Sequence, residues 1–490
     1  MTEPRLPMSA LKSLLLTDLS DNPKLLSLAE TSEGKILLLS LFGIVLEIGN
    51  PGLNMPAFGV VFLTVVACTF YDKHRMSILP TAVLLLLAAD PFPYWFTNDV
   101  LKLAISRELP AENTVNVAHM RYETLAVFFV LYVALLHGAL RFRDLFIYRR
   151  PLVFLLSTFF ALLFFVSAKI LHGLAQVYLW SFVSVFGTYL WFMAYALTDL
   201  QTKDHSPLRL QFGLLHPFWG SSSVPHGKGA AYIRKVMSRT PQELALSQVK
   251  GMKLLLICLF FRGVKFVFDQ LMHGYFHVPQ FVDAIKAQVN GTPFSGSLCW
   301  ASLISAYFEW VFFISIIGNT FVGCARMSGF YLLRNTYKPI RATSIAEFFN
   351  RFFYYFKELL VDMFFFSTFV RYFRKQKRLR IAFATFMAAG IGNMLYHFVR
   401  DLDWIVGMGF WKALIGYQTY AFYCVVLAAG IISSQLWPYK PRSTTWFGAK
   451  FVPCFGVFVF YCFLHIFDDT DRMRTLGQHF DFLFHLFGLT

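Results

Sequence analysis

His397 lies in the apolar run GIGNMLYHFVRD, with Asn393 one helical turn before it. A neutral imidazole near pH 7 takes a proton from a hydroxyl and returns it to a leaving group. Burial favours that neutral form. On spacing alone, His397 is equally well a structural histidine bonded across a helix bundle. Gly390, Asn393, His397, Arg400 and Asp401 recur at helical steps, and Gly390 and Gly392 thin the helix so that a neighbouring backbone can approach. A second stripe, Glu347, Arg351, Tyr354, Glu358 and Asp362, has the same period, which predicts one polar helix face. Ionisable groups in hydrocarbon are costly and face a bundle interior or a wet cavity, so the two stripes read as the wall of a polar chamber.

Other candidates are less specific. Glu47, His137, Lys169, His172, Gln176 and Glu309 fall inside or beside apolar runs, where each is either an interhelical bond or part of a transport path. In HPFWGSSSVPHGKGAAYIRK, a turn is expected at 221–225. Lys228, Arg234 and Lys235 there are either an ordinary surface loop or a mouth for an anionic carrier or nucleotide. The Gly227-Lys228-Gly229 tripeptide lacks the P-loop frame. The seven cysteines show no C-x-x-C and no His/Cys ligand spacing, so neither a metal site nor a disulfide framework is expected.

The elements that must hold these residues are transmembrane helices. The chain is 57% hydrophobic and 15% charged, with 58 phenylalanines and a mean hydropathy of +0.54. Apolar runs of membrane-spanning length recur throughout, which predicts an all-α polytopic membrane protein and excludes an ordinary soluble domain. Candidate spans are 36–48, 57–71, 77–89, 122–140, 151–171, 174–197, 251–269, 298–318, 379–399, 411–436 and 451–467. The expected divisions are an N-terminal cytoplasmic arm over 1–35, N-terminal transmembrane helices over 36–200, a cytoplasmic loop over 201–250, and a catalytic core with C-terminal helices over 251–490. A surface-lying amphipathic helix over 11–28 is the alternative reading of that arm.

The net charge of +16 does not point to nucleic acid. Lysine and arginine concentrate in the links 73–75, 141–150, 203–253, 326–341, 371–380 and 440–450, the positive-inside pattern of a multi-pass integral membrane protein, in the inner membrane if the source is bacterial. Were 345–370 a full span, the 371–380 cluster would fall outside. That segment is therefore expected to be re-entrant or interfacial, packed in protein where charged backbone is tolerated.

The block SIAEFFNRFFYYFKELLVDMFF, residues 344–365, resembles the signature of the membrane-bound O-acyltransferases (MBOAT). The family's near-universal histidine, in a later apolar helix, is matched by His397. The resemblance covers only the region from this block to His397; elsewhere the likeness is one of architecture. It departs from the pattern at Phe353, where the motif histidine stands, and at Phe398, where a glycine follows the catalytic histidine. The resemblance implies a bundle of about 10–12 helices around a polar tunnel, and transfer of an acyl group from a thioester to a hydroxyl. The donor would be acyl-CoA or an acyl-carrier protein, acting as co-substrate rather than bound cofactor. The acceptor would be a hydroxyl of an envelope glycan, polymer or lipid. His397 becomes the general base; Asn350 or Asn393 orients it or stabilises the oxyanion. Arg351 with Glu347 braces the chamber or holds the donor's anionic part, and Lys228 lies at the donor's cytoplasmic mouth. The alternatives are a transporter or flippase using the same polar stripes, and an inactive MBOAT-like partner subunit, which the loss at Phe353 favours.

Overall fold

The computed structural model describes residues 22–50, 52–110, 115–219, 228–438, 445–468 and 474–489. Helix dominates, and the β-structure among these residues is one isolated bridge between Met237 and Phe330. Short polar side chains start many of the helices: Asn22, Thr31, Asn54, Asn116, Ser344 and Thr475 each accept a hydrogen bond from a first-turn N–H. Pro151 at the head of Pro151–Ser167 loses no hydrogen bond there.

Among the described residues, seven helices are long and apolar enough to cross a membrane: Val117–Arg141, Gly173–Leu200, Pro241–Tyr275, Gly296–Met327, Lys377–Arg400, Phe410–Leu436 and Phe447–His465. An eighth is possible if Met55–Phe70 and Asp72–Ala89, bent by 119° at Tyr71, form one broken span. This is the architecture of a multi-pass integral membrane protein. Seven of the eleven expected runs fall in these helices. The other four runs are helical too: Ser32–Gly49 carries Glu33, Lys35 and Glu47, Pro151–Ser167 is 17 residues long, and the remaining two form the bent pair.

Helices run through two of the expected divisions. The supposed arm ends inside the helix that Thr31 caps, and the supposed loop 201–250 already contains Ala230–Val236 and the first turns of Pro241–Tyr275. Most of the proposed 11–28 helix, the arm before residue 22, and the 221–225 turn lie outside the described residues.

The chain divides into two units interleaved in sequence. The first comprises 1–91, 202–263 and 316–334. Polar side chains tie its apolar helices together. Gln248 donates to Thr69 Oγ1 (2.8 Å) and to the Met327 carbonyl (3.0 Å), and Ser247 donates to the Arg326 carbonyl (2.8 Å). The buried Arg75 guanidinium donates to the carbonyls of Cys68 and Ser238, both at 2.6 Å. Each bond satisfies a group that would otherwise be stranded among hydrocarbon.

The second unit comprises 92–201, 264–315 and 335–490. Gly173–Leu200 is its axis, packed against Trp95–Glu108, Val117–Arg141 and Pro151–Ser167. A Cβ on Gly187 would sit 2.8 Å from the Val399 carbonyl oxygen, so only glycine lets this axis cross Lys377–Arg400 so closely.

Candidate active site

The second unit holds His397, Asn393, Asn350, Arg351 and Glu347. Lys228 belongs to the first unit, where its ammonium lies 5.9 Å from the Tyr232 ring centroid and its backbone is left-handed (φ 59°).

The histidine helix is wedged on both sides of His397. Tyr396 stacks on Trp191 at 5.7 Å, and Phe398 meets Phe160 (5.9 Å) and Tyr417 (5.2 Å). One turn and a half earlier, a Cβ on Gly392 would come within 2.6 Å of the Phe364 ring, so the two segments touch there as the glycine spacing suggests. His397 itself is half-buried, with Tyr420 at 4.8 Å and Phe356 at 5.9 Å between ring centroids. Asn393 is buried, and its Oδ1 accepts the Tyr420 hydroxyl at 3.3 Å. Tyr420 thus joins Asn393 to the face of His397. Sequence reasoning missed Tyr420, because it comes from Phe410–Leu436 and no spacing links it to either residue. Further along the helix Arg400 forms a two-point ion pair with Asp401, Nε–Oδ1 2.5 Å and Nη2–Oδ2 3.2 Å, so these two members of the stripe serve each other.

The first stripe is not one continuous face. The helix Ile345–Phe352 ends, Phe353 leaves the helical conformation (φ −138°, ψ 74°), and a new helix begins at Tyr354. A third segment makes the break affordable in hydrogen-bond terms. Tyr337 N–H donates to the Arg351 carbonyl (2.7 Å) and Thr336 Oγ1 to the Phe352 carbonyl (2.7 Å). On the far side, Tyr354 N–H donates to the Asn335 carbonyl (2.9 Å) and Tyr355 N–H to Asn335 Oδ1 (3.3 Å). Residues 335–337 thereby satisfy the backbone groups that two new helix ends expose. No single helix of spanning length occurs in 345–370.

Glu347 and Arg351 consequently separate from Glu358 and Asp362. Glu347 Oε2 accepts Thr343 N–H (2.7 Å) and Oγ1 (2.8 Å), while Oε1 takes Arg351 Nη2 (2.7 Å) and Nε (2.8 Å). Partial burial pushes this carboxyl up, but the hydrogen bonds from Thr343 and the Arg351 guanidinium outweigh it and hold it below the usual range. Glu358 pairs with Lys357, and Asp362 accepts the Tyr195 hydroxyl at 3.1 Å.

Glu347 and Arg351 face a cavity of about 870 Å³. Arg341, Lys338 and Lys450 add positive charge to its wall, and Tyr337, Trp446, Phe451, Phe455 and Phe458 add aromatic surface. Those three cations stood in clusters that topology alone explains, so no spacing set them apart. Asn350 is exposed and lines a second cavity of about 170 Å³ with Lys357, Thr385 and Gln435. Neither cavity has His397 or Asn393 in its wall.

The remaining intramembrane polar residues mostly have local partners. His137 Nδ1 bonds the Val133 carbonyl (2.9 Å), Gln176 the Val166 carbonyl (2.7 Å), and Lys169 lies 3.7 Å from Glu108. Glu309 differs: its Oε1 is 2.6 Å from His273 Nε2, while His273 Nδ1 faces the Val278 carbonyl at 2.7 Å. A carbonyl only accepts, so Nδ1 carries a proton and the pair shares a further one. Among the described residues, no three His, Cys, Asp or Glu side chains gather as a metal-binding group.

No family model matches this chain, and no curated protein matches it.

Proposed function

We propose that this protein is an acyltransferase of the membrane-bound O-acyltransferase type, moving an acyl group from a thioester to a hydroxyl of an envelope glycan, polymer or lipid. One observation carries the reading: a half-buried imidazole, held by its neighbours' stacking in a spanning helix, in the same unit as a large cation-walled aromatic cavity built on the MBOAT-like block. In this mechanism His397 takes the acceptor's proton, the alkoxide attacks the thioester carbonyl, and the thiolate leaves with the proton returned by the imidazolium. Asn393, its carbonyl side held by Tyr420, presents its amide to the imidazole or the developing oxyanion. Arg341, Arg351, Lys338 and Lys450 attract the donor's anionic portion, and the aromatic wall suits its apolar portion.

A second reading, a proton-coupled transporter, is favoured by the His273–Glu309 pair, which holds a proton between two spanning helices. The two separate on one experiment. Detergent-purified protein is incubated with a labelled acyl thioester and candidate hydroxyl acceptors, for wild type, His397→Gln and Glu309→Gln. The acyltransferase reading expects about 10²-fold or greater loss of transfer in His397→Gln with an unchanged melting profile. Absence of transfer in wild type with every donor rejects it, in favour of transport or of a non-catalytic partner subunit.

A further inference from the structure

The turn at 370–376 and the first residues of Lys377–Arg400 carry six cations within the ten residues 371–380: Arg371, Arg374, Lys375, Lys377, Arg378 and Arg380. Between Asp362 and Asp401 the sequence has no acidic residue to neutralise them. Every residue from 371 to 379 is exposed. A positive-inside signal needs only this count of charges, not a shape.

Here the charges are also given a shape. Phe373 is left-handed (φ 49°), a conformation that a bulky side chain rarely adopts. Its ring and that of Tyr372 both pack edge-on against Phe383, at 5.2 and 5.5 Å. Arg380 turns inward, its guanidinium 3.8 Å from the Phe369 ring centroid and its Nε donating to the Phe369 carbonyl. Arg374 Nε donates to the Val370 carbonyl at 2.9 Å. The result is a knuckle pinned by its rings, with five exposed cations and Tyr372 and Phe373 beside them.

Lys377–Arg400 is long enough, at about 1.5 Å per residue, to cross a hydrocarbon core of about 30 Å. Its first residues therefore lie at headgroup depth. We propose that this knuckle is a binding site for the phosphate headgroups of anionic phospholipids. The proposal rests on the membrane span, and it stands whether or not His397 is catalytic. A cationic cluster next to a span, on a turn pinned by two aromatic rings, suits a phosphate tethered in the bilayer plane better than a diffusing partner.

The full-length chain, purified in detergent, is titrated with phosphatidylglycerol or phosphatidylcholine and the retained lipid counted by native mass spectrometry. Wild type is expected to retain phosphatidylglycerol at least about tenfold better, a preference that fades with salt. Arg371→Gln, Arg374→Gln, Lys375→Gln, Lys377→Gln and Arg378→Gln combined should abolish the preference. Replacing Arg141, Arg143, Arg149 and Arg150 by Gln should leave it intact, and Phe373→Gly, which keeps every charge, should weaken it. If the fivefold variant does not fold, Arg374→Gln and Lys377→Gln singly should each cut retention by about fivefold. Equal retention of both lipids, or equal loss in the 141–150 control, overturns the proposal. Complete displacement by equimolar inorganic phosphate would mark a free-anion site instead, and an acidic carrier protein bound in place of any lipid preference would mark a protein dock. Either result also overturns it.

Discussion

At the scale of single residues, Tyr420 makes Asn393 and His397 one arrangement. Tyr420→Phe keeps the ring against the imidazole but leaves the buried Asn393 carbonyl without its donor. A loss of about 1–3 kcal/mol in stability is expected, together with slower transfer, read by thermal melting and turnover on the same preparation. His216, in the first unit, gives a test that does not involve the chemistry. It is buried, stacks on Phe218 at 5.6 Å, and burial lowers its pKa from 6.5 to about 3. The folded protein then keeps it neutral while the unfolded chain protonates it, so its contribution is complete above about pH 6.5 and erodes as pH falls towards 3. By pH 5 the erosion is about 2 kcal/mol. His216→Asn, measured by melting between pH 7 and 5, should lose less stability over that interval than wild type.

At the scale of elements, the decisive feature is the break at Phe353. Sequence periodicity read 347–362 as one face because Glu347, Arg351, Glu358 and Asp362 keep step through it. Nothing local announces the interruption: there is no proline or glycine, and the partner that makes it tolerable is Asn335, remote in periodicity and fully buried. Asn335→Ala should destabilise the protein by about 1–3 kcal/mol, since it removes the side-chain acceptor for Tyr355 N–H, and denaturant or thermal titration measures it. By contrast the histidine helix was legible. Its apolar length, its glycines and the Asn393–His397 step all survive in the structure, because each is a property of one continuous helix. Tyr420 and the Lys338–Arg341–Lys450 wall were not legible, because they depend on which helices meet.

At the scale of the whole molecule, composition announced a polytopic helical protein, but hydropathy alone does not say which runs cross. An apolar run is equally apolar whether it spans, bends by 119° as at Tyr71, or stops short. Charge distribution predicts that the 141–150 and 371–380 links share one face of the membrane, opposite 290, which requires Pro151–Ser167 to cross as well. Cysteines placed at Asp144, Lys375 and Asn290 should therefore label from one side, the same side and the other side, with an impermeant thiol reagent. The native background is low, since six of the seven cysteines are buried and only Cys454 is partly open. One consequence of the 335–337 strut concerns chain length. Its bonds to Arg351, Phe352, Tyr354 and Tyr355 fasten the intervening stretch at both ends, like a strap buckled to a fixed notch. Adding or dropping a residue between Lys338 and Phe352 would pull the buckle off its notch, whichever side chain it carried. The wall of the large cavity would shift with it.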